Sequence, residues 1–135
     1  MKLRFLAAFA VMSAVVALPA TAHHSFTVFF DMSRTVEIEG VVTSFRLVNP
    51  HAEMLIDVPD ADGNPVTWRI TARTGPAEAK REGWVPEDFV GKQVKVEGNP
   101  TRREGGTAMS AGVVTFLDDG RVVCLGGCPG GPEVR

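Results

Sequence analysis

The feature that most constrains the fold is an alternation of apolar and mostly polar residues between residues 35 and 47. Val36, Ile38 and Val42 recur with a period of two, and successive side chains of a β-strand point to opposite faces of a sheet. The pattern therefore predicts a long first strand. Gly40 interrupts it, and a glycine inside a strand favours a bulge or a sharp bend. Such a strand can curl around a small barrel.

The remaining segments favour strands joined by glycine- and proline-containing turns. Further strands are predicted at residues 54–58, 66–70 and 94–96, with a last hairpin formed by residues 109–117 and 121–125. One short helix is predicted before Gly83, because Pro76 suits a first helical position and Gly83 can end a helix. A short strand at residues 26–30 is expected to pair at the sheet edge.

This order of elements predicts the fold class. Three strands, a helix and two further strands are typical of a mainly β fold, a small five-stranded OB-like Greek-key barrel with one short helix. A small open sandwich is the alternative.

The first 22 residues have the pattern of a cleavable export signal. Lys2 and Arg4 precede an apolar run at residues 5–18, and an A-x-A cleavage site ends at Ala22. The run is shorter than the roughly 20 residues that a membrane span needs. We therefore divide the chain into a signal peptide (1–22), an OB-like barrel domain (23–123) and a Gly/Pro-rich tail (124–135). The predicted location is the periplasm, with no membrane span after signal cleavage.

Charge and motifs exclude several function classes. Without Lys2 and Arg4, 12 basic residues remain against 16 acidic residues, so the formal net charge changes from −2 to −4. An acidic domain of this kind is not expected to bind nucleic acid or anionic lipid through bulk charge. The sequence contains no G-x-S-x-G, no H-E-x-x-H and no phosphate-binding loop, so we do not expect an enzyme.

Signal cleavage changes the chemistry of the first histidine. Cleavage after Ala22 makes His23 the first residue of the mature chain, with a free amine of pKa near ~8 beside an imidazole of pKa near ~6.5. His23 can therefore chelate a metal through both groups, and His24 offers a second imidazole. Amine and imidazole donors suit copper best. The pair predicts a copper site, whereas two histidines that merely follow the cleavage site are the alternative.

His51 is the third histidine of the chain and a further candidate ligand. If residues 26–30 pair as a strand with the start of the first long strand, His24 lies opposite about Val41. His51 is ten residues beyond Val41, a distance of ~33 Å along a straight strand. A site with all three histidines therefore requires that the opening segment is not a hairpin arm. The alternative is a turn residue whose ring donates to a backbone carbonyl.

Cys124 and Cys128 are the only cysteines of the chain. In an oxidising compartment, two cysteines four residues apart with glycines between them are expected to form a disulfide that closes a small loop. The string C-x-x-x-C-P also resembles the copper-binding motif of proteins that deliver copper to cytochrome oxidase. Those proteins are thioredoxin-like, and the sequence has no thioredoxin pattern.

Several motifs together resemble a family of small exported bacterial proteins, a domain of unknown function. The shared motifs are A-H-H-S-F at residues 22–26, N-P-H at residues 49–51 and a late D-G-R hairpin at residues 119–121. The resemblance implies a small OB-like barrel in the periplasm and no established activity.

Two functional hypotheses follow. The first is a periplasmic binding module that holds copper, or another divalent ion, through His23 and His24 with His51 as a further ligand. The second is a metal-free interaction module that docks a periplasmic protein or a small ligand on a barrel face or sheet edge.

Overall fold

The computed structural model describes residues 26–126. The predicted signal peptide, His23, His24, Cys128 and most of the predicted tail lie outside the described residues, so the domain division stays a prediction. The elements in chain order are α1 (Phe26–Phe29), β1 (Val36–Arg46), β2 (Glu53–Pro59), β3 (Pro65–Ala72), α2 (Pro76–Arg81), a 3-10 helix (Pro86–Asp88), β4 (Gln93–Pro100), β5 (Ala108–Phe116) and β6 (Val122–Cys124). The helices within residues 26–126 lack the length and apolar character that a membrane span requires.

Five of the strands close into a barrel. β1 pairs antiparallel with β2 and β4, β2 pairs with β3, and β4 pairs with β5. A parallel pairing of β3 with β5, from Arg69 opposite Ala108 to Ala72 opposite Ala111, completes the circle. β6 extends the sheet beside the second half of β5. The mainly β class and the small five-stranded barrel are therefore confirmed, and the open sandwich is wrong.

The apolar alternation of the strands fills the barrel. Its buried side chains include Ile56, Ile70, Val94, Val96 and Val114, all fully buried. Burying each such side chain contributes about 1.5–3 kcal/mol. The same alternation leaves the outer face of β1 to polar residues such as Glu37 and Glu39, which is why the period of two predicted this strand correctly.

Two glycines permit close contact between neighbouring strands. A Cβ atom at Gly40 would lie 2.3 Å from the carbonyl oxygen of Asp57, and one at Gly98 would lie 2.3 Å from that of Ser110. Of the two features expected at Gly40, a bulge or a sharp bend, the bulge lies elsewhere, because the register of β1 against β2 shifts between Val42 and Ser44. Gly40 instead allows β1 to pass directly against β2.

The strand predicted at residues 26–30 is wrong, because the segment begins as the helix α1. The amide of Phe30 donates to the carbonyl of Phe26 over 2.8 Å, and the two rings stack with centroids 5.7 Å apart. A strand would place Val28 on the same face as these rings, whereas Val28 is 66% exposed. Only Phe30 forms a β-bridge, with Thr101.

The predicted helix before Gly83 is confirmed. α2 begins with Pro76 at its first position, and Gly83 follows with a φ of 76°. The segment after α2 then passes under the barrel, where the Phe89 ring lies 4.5 Å from the ring of Phe45. The connection from α2 to β4 therefore carries an aromatic side chain that closes one end of the core.

Candidate functional site

His51 lies in the loop between β1 and β2, directly after the cis peptide bond of Asn49 and Pro50. Its Nδ1 atom is 3.3 Å from the carbonyl oxygen of Arg73. Because a carbonyl oxygen only accepts hydrogen bonds, Nδ1 is the donor of this contact, and the neutral tautomer that makes it has a free lone pair on Nε2. This is the contact expected of a turn histidine. It is also the contact that orients most metal-ligating histidines.

The first described residue of the chain packs against this histidine. The rings of Phe26 and His51 meet edge to face, with centroids 4.8 Å apart and planes at 78°. The start of α1 therefore lies beside the β1–β2 loop. The sequence-based separation of His24 from His51 assumed a hairpin arm at residues 26–30, and that premise is wrong.

Arg73, which the sequence reasoning missed, organises the chain around His51. Its guanidinium donates to Oδ1 of Asn99 over 2.9 Å and to Oγ of the buried Ser110 over 3.4 Å. Its backbone amide donates to the carbonyl of Leu125 over 2.8 Å. Arg73 thus joins the ends of β3 and β4 to β5 and fixes the carbonyl that His51 contacts. No local signal marks it, because Asn99 and Ser110 are 26 and 37 residues away.

An apolar groove of about 470 Å³ runs beside His51. We call it the aromatic groove; its lining includes Phe26, Phe29, Phe30, Pro50, His51 and Thr101. It lies between the β1–β2 loop and the β4–β5 loop, and OB-folds use this pair of loops to bind ligands. The groove can therefore hold an apolar group close to the one histidine that the structure describes.

The predicted metal ligands and cysteines are only partly described. His51 lies in the described part, and residues 26–126 contain no group of three His, Cys, Asp or Glu side chains that could hold a metal ion. Cys124 lies in β6 and is half-buried. Its predicted partner Cys128, like His23 and His24, lies outside the described residues. The metal site and the disulfide therefore stay predictions.

A comparison with protein families gives one finding on identity. A family model described as a family of unknown function (DUF6152) matches residues 10–110, well over half of the chain. The predicted resemblance to a domain of unknown function is confirmed at this level. Searches of the curated proteins and of the solved structures find no match to the chain.

Proposed function

We propose a periplasmic binding function, without catalysis, for this chain, which belongs to the family of unknown function DUF6152. The bound species is copper or a similar divalent ion. The amine and ring of His23, the ring of His24 and the ring of His51 are the proposed donors. Such a module holds a metal and presents it at the end of a rigid barrel.

The contact between Phe26 and His51 carries this proposal. His23 and His24 precede Phe26 by three and two residues. An extended chain spans at most about 3.6 Å per residue, so both histidines are tethered within about 11 Å of the Phe26 backbone. The Phe26 ring in turn lies 4.8 Å from the His51 ring. A site that combines all three histidines is therefore within the reach of the chain.

The hydrogen bond of His51 supports a ligand role as well. With its Nδ1 proton directed to the carbonyl of Arg73, the ring offers the lone pair of Nε2 to a metal. The hydrogen bonds of Arg73 to Asn99 and Ser110 restrain the residue that supplies this carbonyl. His51 is thus an oriented donor at the place to which the N-terminal histidines are tethered.

The test is a calorimetric titration with Cu(II) of protein whose N-terminus is verified as His23. We expect one bound ion, an affinity at least about tenfold lower for a version with one extra N-terminal alanine, and a similar loss for His51→Ala. Asn49→Ala is the matched control in the same loop and should bind as the wild type does. Equal affinity of all four proteins would contradict the site. A loss caused by the extra alanine alone would restrict it to His23 and His24.

A second candidate function, capture of a small apolar ligand without metal, is favoured by the surface of α1. Val28 and Phe29 are 66% and 62% exposed, and Phe29 also lines the aromatic groove. The neutral fluorescent probe N-phenyl-1-naphthylamine tests this function. We expect binding that Phe29→Ser abolishes and that Leu117→Ser, at another exposed apolar position outside the groove, leaves unchanged. Binding that Phe29→Ser leaves unchanged would argue against a ligand site in the aromatic groove.

A further inference from the structure

The barrel has an open mouth where β1 and β3 begin. The first half of β1, from Val36 to Gly40, pairs with β4, and its pairing with β2 starts only at Val41 opposite Asp57. In the same way, the pairing of β3 with β5 starts only at Arg69 opposite Ala108. The first half of β1 therefore pairs only with β4, and the first half of β3 pairs only with β2. No strand pairs with both of these halves, so a gap separates them. The inner surface of the sheet is accessible between them.

A cavity of about 640 Å³ occupies this mouth. We call it the mouth cleft; Val36, Ile38 and Trp68 form its apolar wall and Arg34, Arg102 and Arg103 its basic rim. The three wall residues are half-buried and pack against the core. The volume lies within the range of about 300–1,000 Å³ that is typical of small-molecule sites, and the mouths of β-barrels are among the places where such sites occur.

Two of the three basic side chains of the rim form no ion pair within the described residues. Among residues 26–126, Arg34 and Arg103 form no salt bridge. Nη2 of Arg102 lies 3.9 Å from a carboxylate oxygen of Asp31, and its Nε donates to the carbonyl of Thr27 over 2.9 Å. Arg102 therefore anchors the β4–β5 loop to α1, whereas Arg34 and Arg103 keep their guanidinium donors for a ligand.

Two of the three carboxylates that line the cleft already have partners. Glu37 pairs with Nζ of Lys95 over 3.2 Å, and Asp31 accepts a hydrogen bond from the Ser33 hydroxyl over 2.6 Å. Glu104 is the carboxylate that remains at the rim. Lys95 offsets the charge of Glu37, and Arg102, 3.9 Å from Asp31, offsets that of Asp31. The rim therefore favours an anionic group at Arg34 and Arg103, with Glu104 as the lining carboxylate that forms no ion pair within the described residues.

We propose that the mouth cleft binds a small amphipathic anion. An aromatic or aliphatic body packs against Trp68, Val36 and Ile38, and a carboxylate or phosphate group binds Arg34 and Arg103. Guanidinium groups match the planar geometry of carboxylates and phosphates and bind them with two parallel hydrogen bonds. The site is separate from the proposed metal ligands, since neither His51 nor Phe26 lines it.

The chain's own tryptophans make the test specific. Trp68 lines the mouth cleft, and Trp84, the second of the two tryptophans, lines a different cavity beside Phe89. Each indole N–H gives one signal in a ¹H–¹⁵N spectrum, which Trp84→Phe assigns. We expect that titration with 2-naphthoate shifts the Trp68 signal and leaves the Trp84 signal in place. The uncharged 2-naphthamide should cause the same shift only at about tenfold or higher concentration.

Charge variants of exposed rim residues complete the test without risk to the fold. Arg34→Gln together with Arg103→Gln should raise the dissociation constant of 2-naphthoate by about tenfold or more. Glu104→Gln should lower it by removing the opposing carboxylate, and Arg81→Gln, an exposed arginine on α2, should not change it. The proposal is overturned if Trp68 does not respond, if naphthamide binds as well as naphthoate, or if the double variant binds as the wild type does.

Discussion

The two ends of the barrel differ in how tightly their apolar side chains are packed. Where β4 begins, Phe89 is 1% exposed and its ring lies between the rings of Phe45 and Phe116, at 4.5 and 5.2 Å. The guanidinium of Arg121 covers the Phe116 ring at 3.9 Å. Where β4 ends, Trp68 and Ile38 are only half-buried beneath the β4–β5 loop. We refer to these as the closed end and the open end.

The difference follows from the two connections that cross these ends. The connection from α2 to β4 carries Phe89 into the core, whereas the β4–β5 loop contains Thr101, two arginines, Glu104 and two glycines. The loop has no apolar side chain to insert, so the apolar wall of the open end stays available to a ligand. The closed end therefore contributes stability, and the open end offers a binding site.

The largest expected effect is a difference in stability between variants of the closed end and of the open end. Phe89→Ala should lower the free energy of unfolding by about 3–5 kcal/mol, because it leaves a cavity among fully packed rings. Trp68→Ala should cost clearly less, since its side chain is only half-buried. Urea denaturation of both variants measures the difference. Equal losses would mean that the open end is as tightly packed as the closed end.

The next effect concerns the glycines that bring strands together. Gly98→Ala should cost about 1–3 kcal/mol, because its Cβ would overlap the backbone of β5. Gly112→Ala is the matched control, since a Cβ there lies at an ordinary 3.6 Å from the carbonyl oxygen of Glu97. Denaturation midpoints should fall only for the first variant. A tolerated Gly98→Ala would show that the β4–β5 contact can relax.

A smaller effect compares the arginines of the two ends. Arg121→Ala should lower the free energy of unfolding by about 0.5–1 kcal/mol, because the guanidinium lies over the Phe116 ring. Arg103→Ala should leave it nearly unchanged, since Arg103 forms no salt bridge within the described residues and is exposed. If Arg103→Ala destabilises the fold as much, the rim arginine has a structural role rather than a binding role.

The smallest effect is a pH dependence that differs between the ends. A hydrogen bond from Lys92 lowers the pKa of Asp118 at the closed end, and one from Ser33 lowers the pKa of Asp31 at the open end. A lowered pKa in the folded state stabilises the fold above the unfolded pKa of about 3.9, and this contribution is lost as the pH falls through the folded pKa. High salt should raise the pKa of Asp118 more than that of Asp31, because only Asp118 depends chiefly on an ion pair. Carboxyl NMR titrations at low and high salt measure both, and equal shifts would contradict this assignment.

Much of the fold could be predicted because its signals are local. The alternation around Val36 and Ile38 predicted β1, and Pro76 with Gly83 delimited α2. The prediction failed at α1, where a short aromatic segment fits a strand and a helix equally well until its neighbours are known. It also expected a bulge or a sharp bend at Gly40, because the sequence does not reveal that a partner backbone passes close to that residue.

The candidate sites were less predictable for the same reason. His51 was found because histidines are rare in this chain, but its neighbour Phe26 and the carbonyl of Arg73 come from segments far from it in sequence. The mouth cleft was missed entirely. Its wall and rim combine β1, β3 and the β4–β5 loop, and no motif joins Trp68 to Arg103.

The sequence by itself determined the strands, their turns, the helix α2 and the kind of core, because side-chain alternation and the special backbone freedom of proline and glycine act over a few residues. The tertiary structure alone decided which residues meet at the ends of the strands. The pairing of β3 with β5 closes the barrel and thereby determines these contacts. It brings the loops around Arg73 and Thr101 together, although they are far apart in the sequence. The proposed sites depend on that closure.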